Sequence, residues 1–289
     1  MIDLHTHSRC SDGQDTPEEL VSAAAAAGVT VMALTDHDTI NGLPAAQTAA
    51  EKHHIKLIPG IEISVQGGRE LHILGYGVRP DDEGLQAFYR ENQSFRRQRR
   101  DRLLDMLNKA GIPITLEDIC RVNNGKSSGR PHFARTLVEL GYADSVQDAF
   151  DKYLATPSFY QIERPKPLAW EGIAMIQRAG GVAVLAHPYT LKLEEAPFRS
   201  LLEELISYGL RGIESYYSKH TPEEIACYTA LAEEYGLLCT CGSDYHGAAV
   251  KPDILLGSGC QNSLLEAGVP EEEILSRLYE EMEKAKHLL

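Results

Sequence analysis

Short runs of apolar, often β-branched residues alternate with longer amphipathic stretches along most of the chain. This is the pattern of strands buried on both faces and separated by helices. Val29-Thr30-Val31-Met32-Ala33-Leu34 is one such run. Ahead of it, Thr16-Pro17-Glu18-Glu19 is a capping box with proline at the first helical position. A helix should begin there, continue to about Ala27 and stop at Gly28. A second helix is expected over about 42–53, leading to another apolar run at 55–58. Residues 61–65 and 69–76, separated by Gln66-Gly67-Gly68, predict a hairpin.

The pattern changes after about Pro80. Residues 81–111 read as one long, strongly charged helix containing Arg96-Arg97-Gln98-Arg99-Arg100, and 115–160 as short helices with no strand between them. One of these covers 131–140 and is closed by Gly141. Strand–helix alternation resumes at Gly181-Val182-Ala183-Val184-Leu185 and continues with Gly212-Ile213-Glu214 and Leu237-Leu238-Cys239-Thr240-Cys241. A last amphipathic helix is expected over 270–287. The organisation is therefore an α/β body, residues 1–80 and 161–289, interrupted by an all-helical insertion at 81–160.

Composition narrows the function classes. A chain of 289 residues accommodates one large α/β domain with an insertion. No apolar run approaches the roughly 18–20 residues of a membrane span. Met1-Ile2-Asp3-Leu4-His5 lacks the basic and apolar regions of a signal peptide, so a cytoplasmic protein is expected, with no membrane and no stable protein partner. The formal net charge of −14 disfavours a protein that coats nucleic acid. It leaves room for a small basic pocket and for bound divalent cations, which bring their own positive charge. Among the six cysteines only Cys239 and Cys241 are close, and a C-x-C within an apolar run fits no zinc ribbon; free thiols are expected.

The histidines and acids carry the chemistry. His5 and His7 stand two apart at the end of the first expected strand, so their side chains share a face. Asp12 follows in the loop, and Asp36-His37-Asp38 comes directly after the second strand. Glu62 is expected to begin the strand after Pro59-Gly60, with His72 on its hairpin partner. His187 follows the strand ending at Ala186, and Asp244 and His246 follow the strand ending at Cys241. Most of these positions are strand carboxyl ends, where α/β barrels and sheets place their sites. One histidine there is ordinarily a hydrogen-bonded structural residue. Nine imidazoles and carboxylates together suit two or three borderline divalent ions.

The chain resembles the PHP (polymerase and histidinol phosphatase) superfamily, within the wider amidohydrolase-like group, over essentially its full length. The resemblance rests on Asp3-Leu4-His5-Thr6-His7-Ser8 with Asp12, Thr35-Asp36-His37-Asp38, Pro59-Gly60-Ile61-Glu62, Ala186-His187-Pro188 and Gly242-Ser243-Asp244-Tyr245-His246, in this order. Leu71-His72-Ile73-Leu74-Gly75-Tyr76 matches more loosely. It implies a distorted (β/α)7 barrel with a trinuclear centre of manganese first, or iron or zinc. It assigns His5, His7, Glu62 and Asp244 to one ion, Asp12, His37 and His246 to a second, and His72 and His187 to a third, with Glu62 bridging. Within the superfamily the chain is similar to the branch that removes the 3′-phosphate of nucleoside 3′,5′-bisphosphates and trims short RNA from its 5′ end. The residues behind this are Arg96-Arg97-Gln98-Arg99-Arg100 and Ser128-Gly129-Arg130-Pro131-His132-Phe133-Ala134-Arg135.

The expected nucleophile is a metal-bridging hydroxide, the ions also clamping the phosphoryl oxygens, and His187 counts as catalytic through the ion it holds. Asp36 is a candidate for orienting a ligand histidine, or else a turn-forming acid. Glu214 is expected to support the site or wall it. Arg130 with His132 and one or more of Arg96, Arg99 and Arg100 should grip a second phosphate of the substrate. The alternatives are a plain helix start at Pro131 and a solvated helix face on which Glu91, Asp101 and Asp105 pair with the arginines. Lys152 and Tyr160 could also face the pocket. Two competing functions remain: a phosphatase for another small metabolite such as histidinol phosphate, and a non-catalytic metal-binding accessory module. The latter should have lost ligands, and all nine are present.

Overall fold

The apolar runs become the strands of one sheet in a computed structural model, which describes residues 1–67, 70–123, 130–156 and 166–287. Strands β1 (Ile2–Thr6), β2 (Val31–Leu34), β3 (Lys56–Ser64), β4 (His72–Tyr76), β5 (Val182–Leu185), β6 (Gly212–Tyr217) and β7 (Leu238–Gly242) lie side by side in chain order. All pairings are parallel except those of β4, which runs against β3 and β5. Beyond β7 the chain returns to β1. The Asp244 N–H donates to His5 O at 2.8 Å, the His7 N–H donates to Tyr245 O at 2.9 Å, and Thr6 and Tyr245 bridge in parallel. Seven strands therefore form a nearly closed barrel.

Alternation along the strands divides the core. Met32, Leu34, Ile61, Ile63, Ile73 and Leu185 face the layer packed with helices. Their neighbours Ala33, Leu74, Val184 and Ala186 belong to a second cluster with Leu4, Ile58 and Tyr76. The last helix, Glu271–Lys286, sends Ile274, Leu278 and Met282 into that second cluster at helical spacing. There they meet Ile2, Val182 and Leu238, which lie at the starts of their strands, and Tyr76, which ends the reversed β4. Each such side chain, fully buried, contributes on the order of 1.5–3 kcal/mol. The amino ends of the parallel strands are thus filled largely with apolar groups, and the candidate metal ligands lie at the opposite ends.

Several local expectations hold. The helix Pro17–Ala26 has its Thr16–Glu19 capping box, and Gly28 just beyond it adopts φ +83°. One expectation does not: residues 55–58 and 61–65 are not separate strands. Pro59 and Gly60 lie inside the nine-residue β3, at the point where it leaves its parallel partner β2 and takes up its antiparallel partner β4. A proline without an N–H is tolerated at that handover, its carbonyl accepting from Gly77 N at 2.8 Å. Glu62 therefore stands late in a strand, not at its start. A two-strand hairpin, Ile254–Leu255 with Gly259–Cys260, and the short helix Ser263–Glu266 have too few residues to show a period.

Residues 90–165 form a second compact unit, the first comprising residues 1–89 and 166–289. Its described part holds most of the helix Glu83–Lys109, then Leu116–Val122, Arg130–Glu139 and Val146–Ala149, the last continuing into a π-helical turn, Phe150–Leu154. Leu103, Leu107, Ile119, Phe133, Leu137 and Leu154 make a core of their own. The unit begins later than Pro80 because Leu85 and Phe88, early in the long helix, pack into the barrel's core.

Barrel closure depends on Asp3, which is fully buried. It accepts from Ser243 N at 2.9 Å, Ser243 Oγ at 2.6 Å and Gly257 N at 2.8 Å, tying β1 to the chain beyond β7. Gly242 permits this close approach, since a Cβ there would run into His5 Cβ. Asp3→Ala is expected to cost about 3 kcal/mol or more in urea unfolding of the chelated protein, because buried donors lose their acceptor. A loss under about 1 kcal/mol would contradict this account of closure.

Candidate metal centre

All nine candidate ligands meet at the carboxyl ends of the parallel strands. β1 ends by presenting His5 and His7, and the chain beyond β2 brings His37. Reversal of β4 puts its first residue, His72, opposite Ser64 at the end of β3, so a strand start reaches the same end of the barrel. His187 follows β5, and Asp244 and His246 follow β7. The ligand atoms fall into four overlapping groups: His7, Asp12, His37 and His246; His5, His7 and Asp244; His5, Glu62 and His187; and His37, Glu62 and His72. The atoms within each group lie within 4.8 Å of one another. His7 thus also joins Asp12, and His72 and His187 stand in separate groups linked by Glu62, unlike the allocation that the resemblance implies.

Glu62 is the hub. Its Oε1 lies 2.9 Å from His72 Nδ1 and 3.0 Å from His187 Nε2. Its Oε2 lies 3.0 Å from His37 Nδ1, 3.2 Å from His7 Nε2 and 3.3 Å from His5 Nε2. Asp244 Oδ1 is 3.3 Å from His7 Nε2 and from His246 Nδ1, and Asp12 Oδ1 is 3.3 Å from His246 Nε2. Three of these histidines have a second partner that aims the other nitrogen. His5 Nδ1 faces Glu214 Oε1 at 2.9 Å, and His246 Nδ1 faces Asp244 O at 2.9 Å. Thr190 Oγ1 donates to His187 O, so it accepts from His187 Nδ1 at 3.1 Å. In each case Nε2 is the nitrogen directed at the cluster, and it offers a lone pair once any proton on it is given up.

Backbone strain supports the same arrangement. Asp38 (φ 54°), His187 (φ 26°) and Asp244 (φ 57°) occupy the left-handed region, at about 1 kcal/mol or more each. Each has its N–H fixed within the site: Asp38 on Glu62 O at 2.8 Å, His187 on Glu214 Oε2 at 2.7 Å and Asp244 on His5 O.

Cations fit this cluster. Among the described residues, buried His7 Nδ1 has no hydrogen-bond partner and buried Glu62 Oε2 receives no well-aligned one, and His5 Nε2 and His7 Nε2 face each other at 3.0 Å. Burial opposes every charge here, and at most of these groups the neighbours overcome it. His37, His5 and His72 hold Glu62 well below the usual carboxylate range, and Lys251, His246 and His5 do the same for Asp244. Conversely, Glu214 and Glu62 draw His5 well above its ordinary value, and Glu62 and Asp12 raise His37 to about 9. Burial prevails at His72 and His246, whose values fall. An imidazole–carboxylate set whose members pull one another's charge in this way suits more than one divalent ion.

The remaining candidates divide clearly. Asp36 accepts from Ser8 N and Oγ and from Ser11 Oγ at 2.6–2.7 Å, so its described partners are in the loop that carries Asp12 and not a histidine. The orienting acid is Glu214, in its expected supporting role. Sequence reasoning missed Tyr217, whose hydroxyl donates to Asp244 Oδ2 at 2.7 Å, and Lys251, whose Nζ lies 2.5 Å from the same oxygen. Tyr217 ends the strand that holds Glu214, a positional hint; Lys251 left no signal. Arg96, Arg99, Arg100, Arg130 and His132 all belong to the helical unit. There Arg100 pairs with Asp101 at 2.7 Å, the Arg130 guanidinium lies 5.9 Å from the Phe150 ring centre, and His132 is buried. Lys152 pairs with Asp148 at 2.7 Å. Ser128, Gly129 and Tyr160 lie outside the described residues.

Comparison with known proteins is consistent with this geometry. The family model described as PHP domain matches residues 3–284. A 3′,5′-nucleoside bisphosphate phosphatase of Chromobacterium violaceum is 34% identical, over 85% of this chain and 87% of its own. The 5′-3′ exoribonuclease Rnm of Salmonella typhimurium is 36% identical, over 85% of each chain. The solved structure of an amidohydrolase from Chromobacterium violaceum, with bound sulfate and no metal, superposes with a TM-score of 0.76 at 32% identity. That match covers 94% of this chain and 99% of the other. Among the described residues no helix is long and apolar enough to cross a membrane.

Two outcomes are expected. Glu62→Gln should lose at least two groups' worth of metal, as measured by elemental analysis after loading with Mn²⁺, because Glu62 belongs to two groups. His187→Ala should lose one group's worth. Equal metal content in wild type and both variants would contradict the geometry. Second, Mn²⁺ must displace the proton on His37, so affinity by calorimetry should tighten up to about tenfold per pH unit from pH 7 towards 9. A flat profile over that range would contradict proton–metal competition.

Proposed function

The chain belongs to the PHP-domain family of metal-dependent phosphoesterases acting on small phosphorylated substrates, and from that premise we propose that its substrate is a nucleoside 3′,5′-bisphosphate. Short 5′-phosphorylated RNA is the second substrate of the same reading. The observation that carries the hydrolytic part is the set of four overlapping ligand groups sharing Glu62, His5, His7 and His37. Support for the bisphosphate is the likeness to the Chromobacterium violaceum phosphatase over 85% of the chain, together with the basic residues of the helical unit. The metal-free relative with bound sulfate adds that a tetrahedral anion binds a protein of this fold.

The chemistry divides between cofactor and chain. Divalent ions, two or three with manganese expected first, supply when bound a water activated near neutral pH and cancel charge on phosphoryl oxygens. His5, His7, Asp12, His37, Glu62, His72, His187, Asp244 and His246 would hold them. Glu214, Thr190 and the Asp244 carbonyl keep His5, His187 and His246 in the tautomer that offers Nε2. Asp36 braces the Asp12 loop through Ser8 and Ser11. Arg130, with His132 and one or more of Arg96, Arg99 and Arg100, receives the second phosphate, a guanidinium fork matching two phosphate oxygens.

Metal-loaded protein is expected to release phosphate from adenosine 3′,5′-bisphosphate and none from histidinol phosphate. His187→Ala should lower kcat/KM about 10³-fold or more. Arg130→Ala should raise KM for the bisphosphate roughly tenfold with little change for a monophosphate. Preferential hydrolysis of histidinol phosphate would replace the substrate assignment, and equal activity of wild type and His187→Ala would restore the non-catalytic reading.

A further inference from the structure

We propose that Lys251 is a phosphate-binding residue of the metal centre, resting on the phosphoester reading above. The chain beyond β7 turns back after His246. Gly247, at φ +97°, accepts from Val250 N and Lys251 N at 3.0 and 2.9 Å, while Ala249 N donates to Gln14 Oε1 at 2.8 Å. The turn is thereby pinned to the loop that carries Asp12, and it directs Lys251 onto Asp244. The ammonium donates to Asp244 Oδ2 at 2.5 Å and to Asp244 O at 3.3 Å, and the side chain stays 27% exposed. Of its three N–H donors, one is left for a ligand arriving from solvent.

Holding Asp244 does not require this lysine. Tyr217, almost wholly buried, already donates to Oδ2, leaving Oδ1 to face His5, His7 and His246. A fixed positive charge beside a ligand carboxylate also repels the ions that the carboxylate is there to bind. Lys251 thus costs metal affinity at a position where a neighbouring hydroxyl does the orienting. An arriving phosphoryl dianion would offset that cost, since the ammonium would meet it beside the side chains that would hold the divalent ions.

The test uses the Mn²⁺-loaded protein with inorganic phosphate as probe, followed by calorimetry, with metal content measured in parallel. Lys251→Met is expected to keep its full complement of Mn²⁺ and to weaken phosphate binding about tenfold or more, with Lys251→Arg recovering most of it. Unchanged phosphate affinity in Lys251→Met overturns the assignment. So does loss of metal with the lysine, which would make it a support for Asp244. Wild-type loaded protein with no affinity for phosphate overturns the phosphoester reading along with it.

Discussion

Charge burial is the constraint on which this structure depends. Glu62 is completely buried among His5, His7, His37, His72 and His187, and Asp244 is nearly so. In a low-dielectric interior such a gathering is costly unless cations or protons offset it. Within the chain the groups offset one another in part: Glu214 and Glu62 raise His5, Glu62 and Asp12 raise His37, and the imidazoles hold Glu62 and Asp244 low. Divalent ions do so with more charge per site, and the lone pairs aimed by Glu214, Thr190 and Asp244 are prepared for them.

The fold serves that gathering. Apolar residues and the last helix fill the amino ends of the strands, which reserves the other ends for polar groups. Antiparallel β4 delivers His72 from a strand start, and barrel closure through Asp3 sets Asp244, just beyond β7, against His5 of β1. Left-handed conformations at Asp38, His187 and Asp244 persist because each N–H has a fixed acceptor within the same cluster. The negative chain as a whole repels anionic substrates, so affinity for a phosphate ester must come from local positive charge.

Much of this was legible in the residues themselves. Apolar runs mark most of the strands, and most of the candidate histidines and acids fall where a strand ends, which sets them at one end of a sheet. What stayed hidden depends on contacts between distant residues. Pro59-Gly60 reads as a break, yet it lies within β3 because the strand changes partners there. Asp36 sits beside His37 in sequence, but its oxygens are taken by Ser8 and Ser11. Tyr217 and Lys251 acquire meaning only when β6 and the turn after His246 converge on Asp244. Residues 254–260 are too short in each strand for any period to register.

Anomalous X-ray diffraction from Mn²⁺-loaded crystals tests the central claim most directly. The account predicts two or three anomalous peaks enclosed by these nine side chains, with Glu62 touching more than one of them. A map with one isolated peak, or with none among His5, Glu62, His187 and Asp244, would contradict it.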